Sequence, residues 1–325
     1  MEKKIDLTAS EMGYLWTVYQ SLTMNICILK YYSHTLEDDE VRELNSKSLS
    51  ECEKVLGELV DIFEKDGFPI PVGFSDSDVN TNAAKLYTDP FILYYQWFVH
   101  KGNLNYASIA LNTIARDDVV ALFSTLLTGA LKLLNESRKL LLDKGLWIRS
   151  PYIPIPKKVT FVEKQSFLNG WIGEQRPLVG QEISANFYNI VSNQIGFELM
   201  NSFIQVIADG DLKRYIERGK EIASKHVNAM SKIFIDAELP VPSTWSGTHT
   251  DSRENPFSEK LILNMISYLN AQGIANYGMA ISNSIRRDVS TTFSRLAAEV
   301  GKYAEDGTNL LIEKGWFESP PQASK

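Results

Sequence analysis

Cysteine and histidine are scarce, with two and four residues in a chain of 325. Two cysteines, Cys27 and Cys52, cannot make the disulfide framework of a small secreted domain and suit a reducing compartment. The apolar runs are short. The opening stretch MEKKIDLTASEMGYLW is interrupted throughout, so neither a signal peptide nor a transmembrane helix is expected. Positive charge is not in excess either: 33 Lys and Arg stand against 40 Asp and Glu, a net charge of −7. Broad nucleic-acid binding needs basic patches that neutralise phosphate, so no nucleic-acid partner is expected. A Gly-rich phosphate loop, a Gly-x-Ser-x-Gly elbow and a Cys-x-x-Cys pair are all missing. What remains is a composition of 44% apolar and 22% charged residues, that of a globular chain.

The chain repeats itself. KGNLNYASIALNTIARDDV at 101–119 returns as QGIANYGMAISNSIRRDV at 272–289. At an offset of 171, Asp38 falls on Asp209, Lys54 on Lys225, Phe63 on Phe234, Phe74 on Trp245, and Pro69/Pro71 on Pro240/Pro242. Asn105 and Tyr106 fall on Asn276 and Tyr277. After one extra residue in the first copy the offset is 170. Asp118 and Val119 then fall on Asp288 and Val289, and Lys144-Gly145 on Lys314-Gly315. A period this long describes two whole domains rather than a solenoid.

Each copy reads as four helices. Thr8 and Glu11 form a capping box at the head of the first. Met12, Leu15, Tyr19, Leu22, Ile26 and Leu29 then recur at helical spacing. The acidic cluster Glu37 to Glu40 suits the start of a second helix, which carries Val41, Leu44, Cys52, Val55, Leu59 and Ile62 inward. GFPIPVGFSDSDVNTNAAKLYTDP cannot be helical and makes a long crossover to a third helix at Asp89-Pro90. A fourth helix, capped by Asp118, ends at Lys144-Gly145. The second copy repeats the plan at about 182–208, 211–237, 257–284 and 287–314, with Asp288 as the matching cap. A long second-to-third crossover is one way to build a four-helix bundle. The expected architecture is therefore all-α: a first bundle at 1–149, a Pro-containing linker at 150–180 packed across the bundles, and a second bundle at 181–325.

A dinuclear carboxylate site in such a bundle takes Glu-x-x-His from two of its helices. None of His34, His100, His226 and His249 follows a Glu by three. His226 lies on the stripe of Ala223, Met230 and Ile233, and Glu198 falls at a similar height, so the two are the candidate metal pair. Their counterparts Cys27 and Val55 cannot do that work. Cys27 and Cys52 differ too much in height for a disulfide. Glu51, Glu53, Glu136 and Asp143 read as solvated. Asn105/Asn276 and Tyr106/Tyr277 are expected to hydrogen-bond across their bundles, and Tyr94, Tyr95, Trp97 and Phe98 to form core and interface.

With these elements in place, the chain resembles DUF 3231, a domain-of-unknown-function family of spore-forming bacteria related to spore coat protein F. The Pro-x-Pro crossovers, the Arg-Asp-(Asp)-Val starts (Arg116 to Val119, Arg287 to Val289) and the Lys-Gly ends carry the likeness. The resemblance implies tandem ferritin-like bundles and a cytoplasmic or spore-associated setting. It implies no established activity, and the missing Glu-x-x-His sets the chain apart from active ferritin-like proteins. The reading is a non-enzymatic structural or interaction protein without cofactor, able to meet protein partners or itself. Two alternatives stand beside it: a degenerate metal or redox site at Glu198 and His226, and a small-molecule carrier with a cavity lined by Tyr94, Tyr95 or Tyr277.

Overall fold

The structure, a computed structural model, describes residues 5–208, 210–242 and 248–323. Asp209 and Trp245, aligned above with Asp38 and Phe74, lie outside the described residues. Among the described residues are eight α-helices: α1 (Ala9–Thr35), α2 (Asp39–Asp66), α3 (Asp89–Ala110), α4 (Asp117–Asp143), α5 (Gly180–Val206), α6 (Gly210–Asp236), α7 (Glu259–Asn283) and α8 (Arg287–Glu313). The fold is all-α, two tandem four-helix sets of ferritin-like order, each with one long crossover after its second helix.

Local chemistry sets the helix ends. The Thr8 hydroxyl accepts from Glu11 N, and Glu11 Oε2 accepts from Thr8 N at 2.8 Å, closing the capping box. Asp38 accepts from the amides of Glu40 and Val41 at the head of α2. Gly67, at φ 66°, closes α2 in the left-handed conformation that glycine takes without strain. The helices divide the labour. On α2 a single stripe is buried, from Val41 through Val55 and Leu59 to Phe63. On α1 and α3 burial spreads around the helix, because crossover residues cover the faces that the bundle does not.

Neither Asp118 nor Asp288 caps its helix as expected. Each sits in the first turn and binds the arginine two residues before it, Arg116 or Arg286, at 2.7 and 2.8 Å. Arg286, not Arg287, is therefore the partner of Arg116. The turn before α4 is closed instead by Glu11, whose Oε1 accepts from Ala115 N and Arg116 N at 3.1 and 2.8 Å. Glu182 does the same for Ile285 N and Arg286 N at 3.0 and 2.8 Å. Both carboxylates are fully buried. Buried amides need acceptors, and one side chain per bundle supplies two of them.

The chain divides into two compact units, but not at the expected boundaries. Residues 1–147 take in 247–262 and 314–325, and the second unit is 148–246 with 263–313. Inside the first unit the two crossovers pair edge to edge. Asn80 N donates to Pro256 O and Ser258 N to Asp78 O; Thr88 N donates to Thr248 O and Thr250 N to Leu86 O. The offset of 171 exchanges these stretches, 78–80 with about 249–251 and 86–88 with about 257–259. Two segments barred from helix by proline thus satisfy one another's backbone. Glu318 fastens the C-terminal stretch, accepting from Val72 N, Gly73 N and Gln20 Nε2 at 2.9, 3.1 and 2.7 Å.

The linker corrects another expectation. Residues 150–163 carry neither helix nor strand, and nearly all are exposed. Pro151, Pro154 and Pro156 remove amide donors and bar helix, so the stretch presents no single apolar face to bury. Only further on does the linker engage its unit, where Arg176 binds the Glu182 carboxylate through both Nη1 and Nη2.

Burial alone would raise the Glu11 pKa, but the amides of Thr8, Arg116 and Ala115 outweigh it and bring the group down from 4.5 to about 2. A carboxylate held below its unfolded value stabilises the fold above about pH 4.5 and loses that contribution as pH falls toward 2. Glu11→Gln is expected to cost about 2 kcal/mol at pH 7 and almost nothing near pH 2. Urea unfolding across that range measures both.

Candidate functional site

His226 on α6 is completely buried. Its Nδ1 lies 2.9 Å from Tyr277 Oη on α7, and its Nε2 lies 3.2 Å from Glu299 Oε2 on α8. Tyr277 Oη also lies 3.0 Å from Asn193 Oδ1, and Lys225 Nζ donates to both Glu299 oxygens at 2.7 and 2.9 Å. A hydrogen-bonded chain thus runs from the middle of α5 to the partly exposed Glu299. The single phenolic proton can serve Asn193 or His226 but not both. Burial pushes the His226 pKa below its ordinary value, against the opposing pull of Glu299. The Tyr277 hydroxyl is pushed up by burial.

The carboxylate on the His226 ring is therefore Glu299. Glu198, the expected partner, stands on α5, half-buried. His226 and Glu299 would give a metal two ligands. Among the described residues no three His, Cys, Asp or Glu side chains converge as a metal site would need. Burial pushes the Cys27 thiol up to about 11 and that of Cys52 up to about 12, away from the thiolate form.

A second layer of the same bundle holds Tyr215 and Tyr303. Their rings stack at 4.3 Å with 6° between planes. Each hydroxyl donates to the other's backbone carbonyl, at 3.2 and 3.0 Å. A Cβ on Gly219 would overlap the Tyr303 hydroxyl, and a Cβ on Gly307 would overlap that of Tyr215. Only glycine admits the pair.

The first bundle fills the corresponding layer differently. Leu44, Ser48, Leu133 and Ser137 stand where the second has Tyr215, Gly219, Tyr303 and Gly307. His100, where the second copy has Ala271, bridges the two serines: Nε2 lies 3.0 Å from Ser48 Oγ and Nδ1 3.0 Å from Ser137 Oγ. Burial brings the His100 pKa down to about 3, so the ring is neutral. Beside it lies a cavity of about 30 Å³, room for about two waters. Tyr95, Gln96, His100, Leu22 and Leu133 line it. The Gln96 Nε2 donates to Asn45 Oδ1 at 2.9 Å, while its buried Oε1 has no partner among the described residues. Smaller side chains in this layer leave space that the tyrosine pair fills in the second copy.

The remaining sequence candidates sort cleanly. Tyr94 donates to Leu146 O. Asn276 is buried and accepts from the Tyr188 hydroxyl at 3.3 Å, whereas Asn105 is exposed. Tyr106 meets Tyr14 edge to face at 5.4 Å. Glu299, Tyr215, Tyr303 and the serine–histidine bridge escaped the reading of the sequence. Their signal lay in the repeat alignment: Leu for Tyr, Ser for Gly and His for Ala change together at one height.

Gly219→Ser, which places the first copy's residue in the second, is expected to destabilise by about 2 kcal/mol through overpacking. Adding Tyr303→Leu makes room and should recover a large part of the loss. Thermal unfolding of the single and double variants measures both.

A family model described as "Protein of unknown function (DUF3231)" matches residues 1–159 and again 166–325. No curated protein matches the chain. A solved structure of a candidate spore coat protein from Bacillus halodurans C-125 is similar over 46% of this chain and 98% of its own, at 22% identity and a TM-score of 0.44.

Proposed function

Because the chain belongs to the DUF3231 family, which matches it in two segments spanning nearly its whole length, we propose that it is a non-enzymatic structural or interaction protein. One observation carries this reading: both buried histidines have side-chain partners on both ring nitrogens. His226 has Tyr277 and Glu299 on its two nitrogens, and His100 has two serines. A catalytic or metal-binding imidazole keeps a lone pair or proton facing an open position, and neither ring does so. Both are pushed toward neutrality by burial, the pattern of histidines that serve packing.

The setting assigned to it is the spore or stress context implied by the resemblance to the family of spore-forming bacteria. No helix among the described residues is long and apolar enough to cross a membrane, so association with a coat or another protein would run through its surface. A second reading, a small-molecule carrier, is favoured by the cavity at Tyr95 and His100. At about 30 Å³ it holds about two waters, and a larger ligand requires its lining to move.

Elemental mass spectrometry of untagged protein, purified without chelator, tests the proposal. Less than about a tenth of an equivalent of any transition metal is expected, since two ligands fall short of the three or four that hold such an ion. A full equivalent that disappears in His226→Ala or Glu299→Ala would overturn the proposal and make the second bundle a metal centre.

A further inference from the structure

The strongest unexplained feature lies in the linker. Val159 is 86% exposed, Phe161 88% and Val162 60%, within four residues of one another. Single exposed apolar residues are ordinary, but a contiguous cluster marks a surface that meets something. The stretch KKVTFVEK is rich in β-branched and aromatic residues, contains no proline, and is preceded by Pro154 and Pro156. It has no strand partner among the described residues, so its backbone offers an open edge for strand addition.

The side-chain order says what fits that edge. Place a second copy antiparallel with Thr160 opposite Thr160. Val159 then faces Phe161, twice, and Lys157 faces Glu163, twice. These are β-branched–aromatic and opposite-charge pairs, and the Thr–Thr pair at the centre is favourable as well. Lys158 faces Val162, and no like charges meet. Moving the centre half a residue toward the C-terminus sets Lys157 against Lys164, and a full residue sets Lys158 against Lys164. A parallel in-register pairing sets both lysines on themselves. One register satisfies charge and shape together, and it has two-fold symmetry.

We propose that residues 157–163 form an intermolecular antiparallel strand pair with a second copy of this chain, centred on Thr160. Val159, Phe161, Lys157 and Glu163 share one face of this ribbon, so its apolar centre is bracketed by two ion pairs. Pro156 ends the ladder on one side, and the 3-10 turn at Gln165–Leu168 ends it on the other. A two-stranded ribbon is marginal by itself, so the dimer dissociates on dilution. The inference is independent of the proposed function, because either an enzyme or a scaffold can dimerise through such a strand.

Sedimentation velocity of the full chain, from low to high micromolar concentration, reads the result. The native chain is expected to shift from monomer to dimer with concentration. Lys157→Glu alone and Glu163→Lys alone each set two like-charge pairs face to face, and each should weaken the dimer by about tenfold. The double variant exchanges the charges and should restore it. Phe161→Ser should abolish it. All these positions are exposed, and unchanged melting temperatures verify that the fold is intact. A chain that stays monomeric throughout would overturn the proposal, as would a dimer indifferent to the single charge reversals or one that the double reversal fails to restore.

Discussion

One buried carboxylate per bundle holds the arrangement together. Glu11 and Glu182 stand in the first turns of α1 and α5, yet their oxygens serve the turns ahead of α4 and α8, more than a hundred residues away in sequence. A hairpin turn buried between helices carries amides that no helix can satisfy. Leaving two of them unpaired would cost several kcal/mol. The glutamate removes that cost and fixes the height of the first helix against the third and fourth. Around it the same scaffolding recurs. Arg116 donates to Ile5 O and to Asp118, and Arg286 donates to Arg176 O and to Asp288.

With the frame fixed, the interiors have been free to differ. At the height of Tyr215 and Tyr303 the second bundle is filled by stacked rings, and the first keeps leucines, a serine–histidine bridge and a small cavity. One level away, His226 and Glu299 occupy the places of Val55 and Gly129. In the first copy a carboxylate comes from the opposite helix, with the Glu51 side chain against Gly129. The two bundles therefore place a carboxylate in the same gap by different routes. Such compensated exchange is what close packing demands, since volume added on one helix must be removed from its neighbour. It keeps both interiors closely packed without preserving any one chemical group.

The helices were legible because their signals are local. The Thr8 box, the acidic head of α2, Asp89-Pro90 and the Lys-Gly ends all act within a turn or two, and the repeat returns the last of them unchanged at Lys314-Gly315. Contacts between distant segments were not legible. Periodicity placed His226 inward, but its carboxylate partner, Glu299, comes from α8, seventy-three residues further along the chain, where no spacing rule within α6 could find it. Asp118 looked like a cap because it opens a helix; Arg116 claims it, and the amides ahead of it belong to Glu11. The pairing of the two crossovers left no periodic trace, since proline-rich stretches satisfy their backbone wherever an open edge is offered. The linker misled for the opposite reason: its apolar content suggested burial, but prolines spread those residues along an extended chain.

Buried glutamates lock the turns ahead of α4 and α8 to the helix heads. Native-state hydrogen exchange of the amides of Ala115, Arg116, Ile285 and Arg286 tests it most directly. Turn amides bonded to a solvated side chain open easily, whereas amides bonded to a buried one open only with the bundle. Protection close to that of the helix cores is expected at all four, with Glu11→Gln lowering it at Ala115 and Arg116 alone. Exchange as fast as that of an exposed loop would contradict the claim.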